Sequence, residues 1–280
     1  MISMDIKKQT KRQNPEELKD LLAILSEIKN VSAWLWEKGW AERNAGNISV
    51  DVTDIITIKK RTKKSNKILM KISEPILANR LFLVTGTGVR LRDIRREPQK
   101  CLLLVQISEK VDGYYIIDGN RKSFSTSEFI SHLLIHSFLL KNKIDKKAII
   151  HTHPNHIIAL SHIKKYSSEN MFNRLIWSIH PEVKVVIPEG VGYVKYNCPG
   201  TERLARATLK KLKDRRLIIW ERHGCVAIGK DLYEAFDLID TVNKAIEIFF
   251  MCRNAGYNPQ GLNSIQLKEL EKIFNLKKNG

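Results

Sequence analysis

Hydrophobic positions along this chain follow two rhythms in turn. Leu18, Leu21, Leu22, Leu25, Ile28 and Val31 fall three or four apart, as on one face of a helix. Asn14-Pro15-Glu16-Glu17 precedes them as a start signal: an Asn cap, a proline at the first helical position and Glu17 placed for a capping box. Gly39, or the turn after Trp40, ends this helical region. Short apolar runs predict strands at Ile48–Val52, Leu81–Val84, Leu102–Ile107, Tyr114–Ile117, Ala148–Ile150, Val183–Ile187 and Leu217–Trp220. Asp112-Gly113 and Gly119-Asn120 supply turns beside two of them. Helical spacing returns over Ser127–Leu140, in a short segment after His153, and over Thr201–Lys213, Leu232–Phe250 and Ser264–Phe274. Hairpins mixed with helices predict an α/β fold with an antiparallel or mixed sheet, in one domain over residues 14–280.

Composition narrows the class. The chain has 280 residues, 43% of them hydrophobic, enough for a substantial core. No apolar run approaches the ~20 residues of a membrane helix, and the polar, basic start predicts no signal peptide. Residues 1–13 read as a flexible basic arm. Four scattered cysteines, with no Cys-x-x-Cys pair, suit free thiols in a reducing cytoplasm. The net charge of +18 is spread over helix faces and one dense run, Lys59-Lys60-Arg61-Thr62-Lys63-Lys64. No nucleic-acid motif accompanies it, so no nucleic-acid partner is expected. Steering of anionic, phosphorylated substrates explains the charge more economically.

The candidate chemistry lies where strands end. His151-Thr152-His153 closes the run Ala148-Ile149-Ile150, and alternate strand residues share a face. His223 follows Leu217–Trp220 and precedes a glycine. Three imidazoles at strand ends can hold zinc and leave a fourth position open. A His-x-His pair alone is weak evidence, because most such pairs are plain core or surface residues. Two turns, Asn44-Ala45-Gly46-Asn47 and Thr85-Gly86-Thr87-Gly88, and the helix-opening Ser125-Thr126-Ser127 add backbone N–H and hydroxyl donors suited to a phosphate. Each alone is an ordinary turn; together, beside a metal site, they suggest a phosphorylated substrate.

Several segments in this order resemble the class II aldolase/adducin family. They are Lys38–Asn47, Phe82–Gly88, Ser125–Glu128, His151–His153 and His223-Gly224, with support from Pro188–Gly192, Pro199–Thr201 and Phe236–Thr241. The resemblance runs from about Ala33 to Phe250, and is nearest to members that cleave L-rhamnulose 1-phosphate to dihydroxyacetone phosphate and L-lactaldehyde. It implies a three-layer fold with a central, mainly antiparallel sheet, and a homotetramer with Zn²⁺ sites between subunits. It also implies His151, His153 and His223 as metal ligands and Glu128 as the catalytic carboxylate. By the same match Asn44, Gly46, Asn47, Thr87, Gly88, Thr126 and Ser127 hold phosphate, and Glu182, five residues after Trp177, is an acid that reaches a neighbour's site. Related zinc enzymes of the family, acting on fuculose phosphate or pentulose phosphates or as dehydratases, are the alternatives. A non-catalytic adducin-like module is a further one, though it has no need of three histidines and a glutamate. Without the resemblance, Glu128 reads as a carboxylate favoured by a helix N-terminus and Glu182 as a surface residue. The remaining histidines, His132, His136, His156, His162 and His180, read as structural or exposed. Ala45 stands where glycine is expected, so that turn needs a conformation alanine tolerates.

Overall fold

The computed structural model describes residues 15–56 and 66–276. The basic arm expected over 1–13, the Asn14 cap and most of the lysine-rich 59–67 stretch lie outside the described residues. The first helix, α1 (Pro15–Glu37), starts on its proline with Glu16 and Glu17 in the first turn, where carboxylates meet the positive end of the helix dipole. It buries Leu21, Leu25, Ile28, Val31 and Leu35. Gly39, at φ 71°, supplies the left-handed residue that turns the chain away.

Nine strands form one sheet among the described residues. They are β1 (Asn47–Asp51), β2 (Ile68–Leu69), β3 (Leu81–Thr85), β4 (Leu102–Ile107), β5 (Gly113–Gly119), β6 (Ala148–Thr152), β7 (Gly192–Val194), β8 (Leu217–Trp220) and β9 (Gly224–Gly229). Their order across the sheet is β2-β5-β4-β3-β1-β6-β9-β8-β7. The helices that follow α1 are α2 (Phe129–Lys141), α3 (Asn155–Ser161), α4 (Glu169–Ile179), α5 (Pro181–Val186), α6 (Glu202–Leu212), α7 (Leu232–Asn254) and α8 (Ser264–Ile273), with shorter helical turns between. Every strand pairing is antiparallel except β7 with β8. That pair is joined through α6, the crossover a parallel pair requires.

The sheet is covered on both faces, which makes three layers. On one side Ile48, Val50, Leu83, Ala148, Ile150 and Ile219 pack with residues of α1 and α7, among them Ile28, Leu238, Ile239 and Val242. On the other, Phe82, Val84 and Val105 meet Phe129 and Leu133 of α2. There too, Ile149, Ile218, Val226 and Ile228 meet Ile135 and Leu139 of α2 and Leu204 of α6. Burial on both faces explains why the strands read as continuous apolar runs rather than as alternations. No described helix is long and apolar enough to cross a membrane. Cys101, Cys198, Cys225 and Cys252 are free thiols.

One expected element is corrected. Val183–Ile187, predicted as a strand from its β-branched run, lies instead in α5 and the residue after it. Pro181 occupies the first turn of α5 and His180 before it is extended (φ −140°, ψ 113°), so the chain enters a helix with its first φ already set. Val183 and Ile187, four apart, are then fully buried together. The short strands β2 and β7 carry too few residues to announce themselves in the sequence.

Candidate active site

Register builds the site. The central strand β6 runs between β1 and β9, pairing His151 with Asn47 on one side and with Val226 on the other. His151 shares the parity of Ile149 and so faces the α2 layer, and His153 follows on the same side. His223 sits in the β8–β9 hairpin, where Arg222 takes the left-handed φ of 60° and its N–H donates to Ser161 Oγ at 2.8 Å. The next residue has to be glycine: a Cβ on Gly224 would lie 2.4 Å from the Thr152 carbonyl oxygen and 2.9 Å from His153 Cδ2.

The three imidazoles converge. Their ring centroids are 4.8 to 5.0 Å apart, and one ring nitrogen of each lies within 4.8 Å of the other two. His151 donates Nδ1–H to the Cys225 carbonyl at 2.9 Å, and His153 donates Nδ1–H to Glu42 Oε1 at 2.8 Å. With both rings neutral, the two Nε2 atoms are then lone pairs, facing each other at 3.2 Å. Two bare lone pairs at that distance repel unless a cation lies against both. A tetrahedral metal with bonds of ~2.0–2.1 Å would place neighbouring nitrogens ~3.3 Å apart; the His151–His153 pair has that spacing, and the three nitrogens, within 4.8 Å of one another, are a donor set that could hold one. Burial pushes the pKa of His151 and of His223 down to about 3, which keeps both rings neutral and able to ligate. His223 Nδ1 is buried without a partner; the ring is oriented instead by Trp220, stacked on it at 5.2 Å. The same indole lies 4.6 Å from the His151 ring and is tethered through Nε1–H to Thr208 Oγ1 at 2.9 Å.

Glu128 joins this cluster. It occupies the cap position of α2 but makes no side-chain cap hydrogen bond. The carboxylate turns inward instead: Oε2 lies 3.2 Å from His151 Nε2 and Oε1 4.0 Å from His223 Nε2, and Asn47 Nδ2–H donates to Oε2 at 2.9 Å. A capping role therefore does not account for its position.

The expected phosphate-binding residues lie in the turn before β1, the turn after β3 and the turn that opens α2. Gly46 has φ 77° and its Cα lies so close to β6 that a Cβ would be 3.2 Å from the His151 carbonyl. Left-handed geometry in that turn falls on Arg43 and Gly46, so Ala45 is spared it. The Thr85–Gly88 and Ser123–Ser127 turns are stitched together by Thr87 N–H to the Phe124 carbonyl (2.8 Å) and Thr126 N–H to the Thr85 carbonyl (2.9 Å). Asn44, Thr87, Gly88 and Ser127 are exposed and Thr126 half-buried. Gly46 and Asn47 are buried, and the Asn47 carboxamide is engaged at both ends inside the protein, by Glu128 and by His132. Glu182 is exposed on the first turn of α5 and is not hydrogen-bonded to the histidine cluster.

A family model, the class II aldolase and adducin N-terminal domain, matches residues 26–250. The chain belongs to the class II aldolase/adducin family. Among its relatives, a rhamnulose-1-phosphate aldolase of Bacteroides thetaiotaomicron is 36% identical over 91% of this chain and 95% of its own length. A Listeria monocytogenes protein of the same name is 31% identical over 91% of this chain and 95% of its own. A crystal structure of a sugar-phosphate aldolase from Thermotoga maritima superposes with a TM-score of 0.70 at 32% identity, covering 86% of this chain and all of that one. This class II aldolase/adducin chain thus shares its sheet and helical layers with enzymes, along nearly its whole length.

Two groups were not singled out from the sequence. Glu42 orients His153, and a carboxylate after an aromatic turn gives no local signal of that. His132 and His136, read as structural or exposed, are buried; their spacing of four puts them on one face of α2. They look onto Asn47, Ser49 and Asp51, the alternate polar residues of a fully buried strand.

Two outcomes are expected. Glu42→Ala frees the His153 ring and weakens metal binding about tenfold or more, read by competition with a chromophoric chelator. Burial also lowers the pKa of His132 to about 3 and of His136 to about 4, alongside His151 and His223. These rings stay neutral when folded but take protons near 6.5 when unfolded, so stability is full above that value and is lost as pH falls toward about 4. In urea titrations of chelator-treated protein, each buried ring should add a slope of ~1.4 kcal/mol per pH unit across this window. A flat profile would show the rings to be charged or solvated in the native state.

Proposed function

We propose that this protein is a zinc-dependent class II aldolase that reversibly cleaves L-rhamnulose 1-phosphate to dihydroxyacetone phosphate and L-lactaldehyde. One observation carries the reading: a carboxylate, Glu128, stands 3.2 Å from a nitrogen of a three-imidazole cluster whose bare nitrogens face one another. The substrate follows from the activity for which the Bacteroides and Listeria relatives are named.

His151, His153 and His223 would hold the metal, and being neutral they leave its charge undiminished. A divalent cation there supplies positive charge opposite the ketone oxygen as the carbon–carbon bond breaks. The electron pair of that bond would pass into an enediolate, and the hydroxyl of the departing aldehyde carbon would lose its proton to solvent, from which Glu128 takes up the proton it delivers. Glu128 delivers a proton to the carbon left behind, and removes it again in the condensation direction. Asn44, Gly46, Thr87, Gly88, Thr126 and Ser127, with Asn47 beneath them, would fix the phosphate and so hold the three-carbon unit in one reacting geometry. Glu182 would serve the site of a neighbouring subunit in a homotetramer. The enzyme would work in the cytoplasm, with free thiols and a basic surface that attracts phosphorylated sugars.

A panel of L-rhamnulose 1-phosphate, L-fuculose 1-phosphate and pentulose 5-phosphates tests the reading. The first is expected to release dihydroxyacetone phosphate fastest, with release lost to a chelator and restored by zinc. Turnover of a pentulose 5-phosphate alone would reassign the enzyme within its family. Metal-free protein with full stability and no aldol activity would favour an adducin-like module. His151→Ala and His223→Ala are expected to lose bound metal and activity together. Glu128→Gln should keep the metal and slow cleavage about a hundredfold or more.

A further inference from the structure

Behind Glu128 a line of buried side chains crosses from the sheet into α2. Asn47 Nδ2–H donates to Glu128 Oε2 at 2.9 Å, and Asn47 Oδ1 lies 2.5 Å from His132 Nε2. His132 Nδ1 is 2.7 Å from Ser49 Oγ, and Ser49 Oγ is 2.9 Å from His136 Nε2. All five residues are buried. Asn47 and Ser49 are alternate residues of β1, and His132 and His136 are one turn apart on α2, so the chain is assembled by strand parity and helix periodicity alone.

Its hydrogens can be placed without ambiguity. A carboxylate accepts only, so Asn47 must turn its NH₂ toward Glu128 and its oxygen toward His132. His132 must then carry its proton on Nε2. A neutral imidazole has only one N–H, so Nδ1 is bare and takes the hydroxyl hydrogen of Ser49. The Ser49 oxygen in turn accepts Nε2–H of His136. Every donor in the series points the same way, toward Glu128. Bonds aligned like this polarise one another. The other tautomer of His132 would set a lone pair against Asn47 Oδ1, or turn the amide so that its oxygen opposes the carboxylate.

We propose that His132, with its tautomer set by Ser49 and His136, is a positioning residue for the Glu128 carboxylate: it locks the Asn47 amide, which holds Oε2 and leaves Oε1 free to carry the proton in the carbon–carbon bond-making and bond-breaking step. The proposal rests on the assignment of Glu128 to proton transfer made above. Oε1 is the oxygen that lies farther from the bonded partners, 4.0 Å from His223 Nε2. Polar groups in a hydrophobic layer are costly unless bonded, and a purely structural α2 would pack better with apolar residues at positions 132 and 136. The five-residue series is what the layer keeps in their place.

The test compares Ser49→Ala, His132→Leu, His132→Gln and Glu128→Gln in the metal-loaded, full-length protein. Three quantities are read: kcat and KM on the ketose 1-phosphate, bound metal, and exchange of a carbon-bound hydrogen of dihydroxyacetone phosphate with deuterated solvent without aldehyde. His132→Leu is expected to lower kcat and the exchange rate about tenfold, with KM within about twofold and metal content unchanged, from loss of one buried hydrogen bond in the series. Ser49→Ala removes only a hydroxyl and should show the same pattern more weakly. His132→Gln, whose side-chain NH₂ can still donate to Asn47 Oδ1, should recover most of the loss. Wild-type kcat and exchange in Ser49→Ala and His132→Leu, losses that appear in KM or metal content, or no recovery in His132→Gln would overturn the positioning role. If Glu128→Gln exchanges at the wild-type rate, the assignment of Glu128 fails and takes this proposal with it. If Glu128→Gln is slow while the other variants are not, only the positioning role fails.

Discussion

Everything at the centre of this molecule depends on the register of one strand. β6 lies fourth from the β7 edge of the sheet, flanked by β1 and β9, and its two-residue period puts His151 and His153 on the α2 side. A slip of one residue would turn both rings to the α1 and α7 side and bring Thr152 into their place. The same register sets Asn47 opposite His151 and brings the Cys225 carbonyl to His151 Nδ1. The His151 ring, the carbonyl that orients it and the amide beneath Glu128 are therefore one consequence of strand pairing, not separate placements.

The electrostatics follow from that depth. Desolvation keeps the buried histidines neutral, which leaves His151 and His223 with lone pairs able to hold a metal and His132 with a single N–H. Charge is admitted only where it is matched. Glu128 receives the Asn47 amide, and Asp51 at the end of the same polar row of β1 is met by Arg80 at 2.8 Å and by the Thr53 hydroxyl. The sheet thus carries one polar stripe through an otherwise apolar layer, with every group along it bonded.

Much of this was legible in the sequence, and for identifiable reasons. His-x-His after Ala148-Ile149-Ile150 reads directly as two rings on one face, because strand period is two whatever the fold. The α1 and α7 helices show their apolar spacing over many turns. Val183–Ile187 misled because its β-branched residues suit a strand, while the proline two residues earlier and tertiary burial of Val183 with Ile187 decide for a helix. Glu128 was placed by resemblance to the family; its local sequence would equally suit a cap. The partners of His132 could not be read locally, since Asn47 and His132 are 85 residues apart and meet only when α2 packs across β1. Their signal was indirect: polar residues on alternate positions of a strand too buried to leave them solvated.

Floor and rim of the site differ in how they are held. His151 and Glu128 are buried in the middle of a sheet covered on both sides, whereas Asn44, Thr87, Gly88 and Ser127 stand exposed on turns above. Disturbing the floor means opening the core itself; altering a turn touches few of its contacts. The turns can therefore be rewritten at little cost to the core, while a change to the floor is felt by the whole sheet.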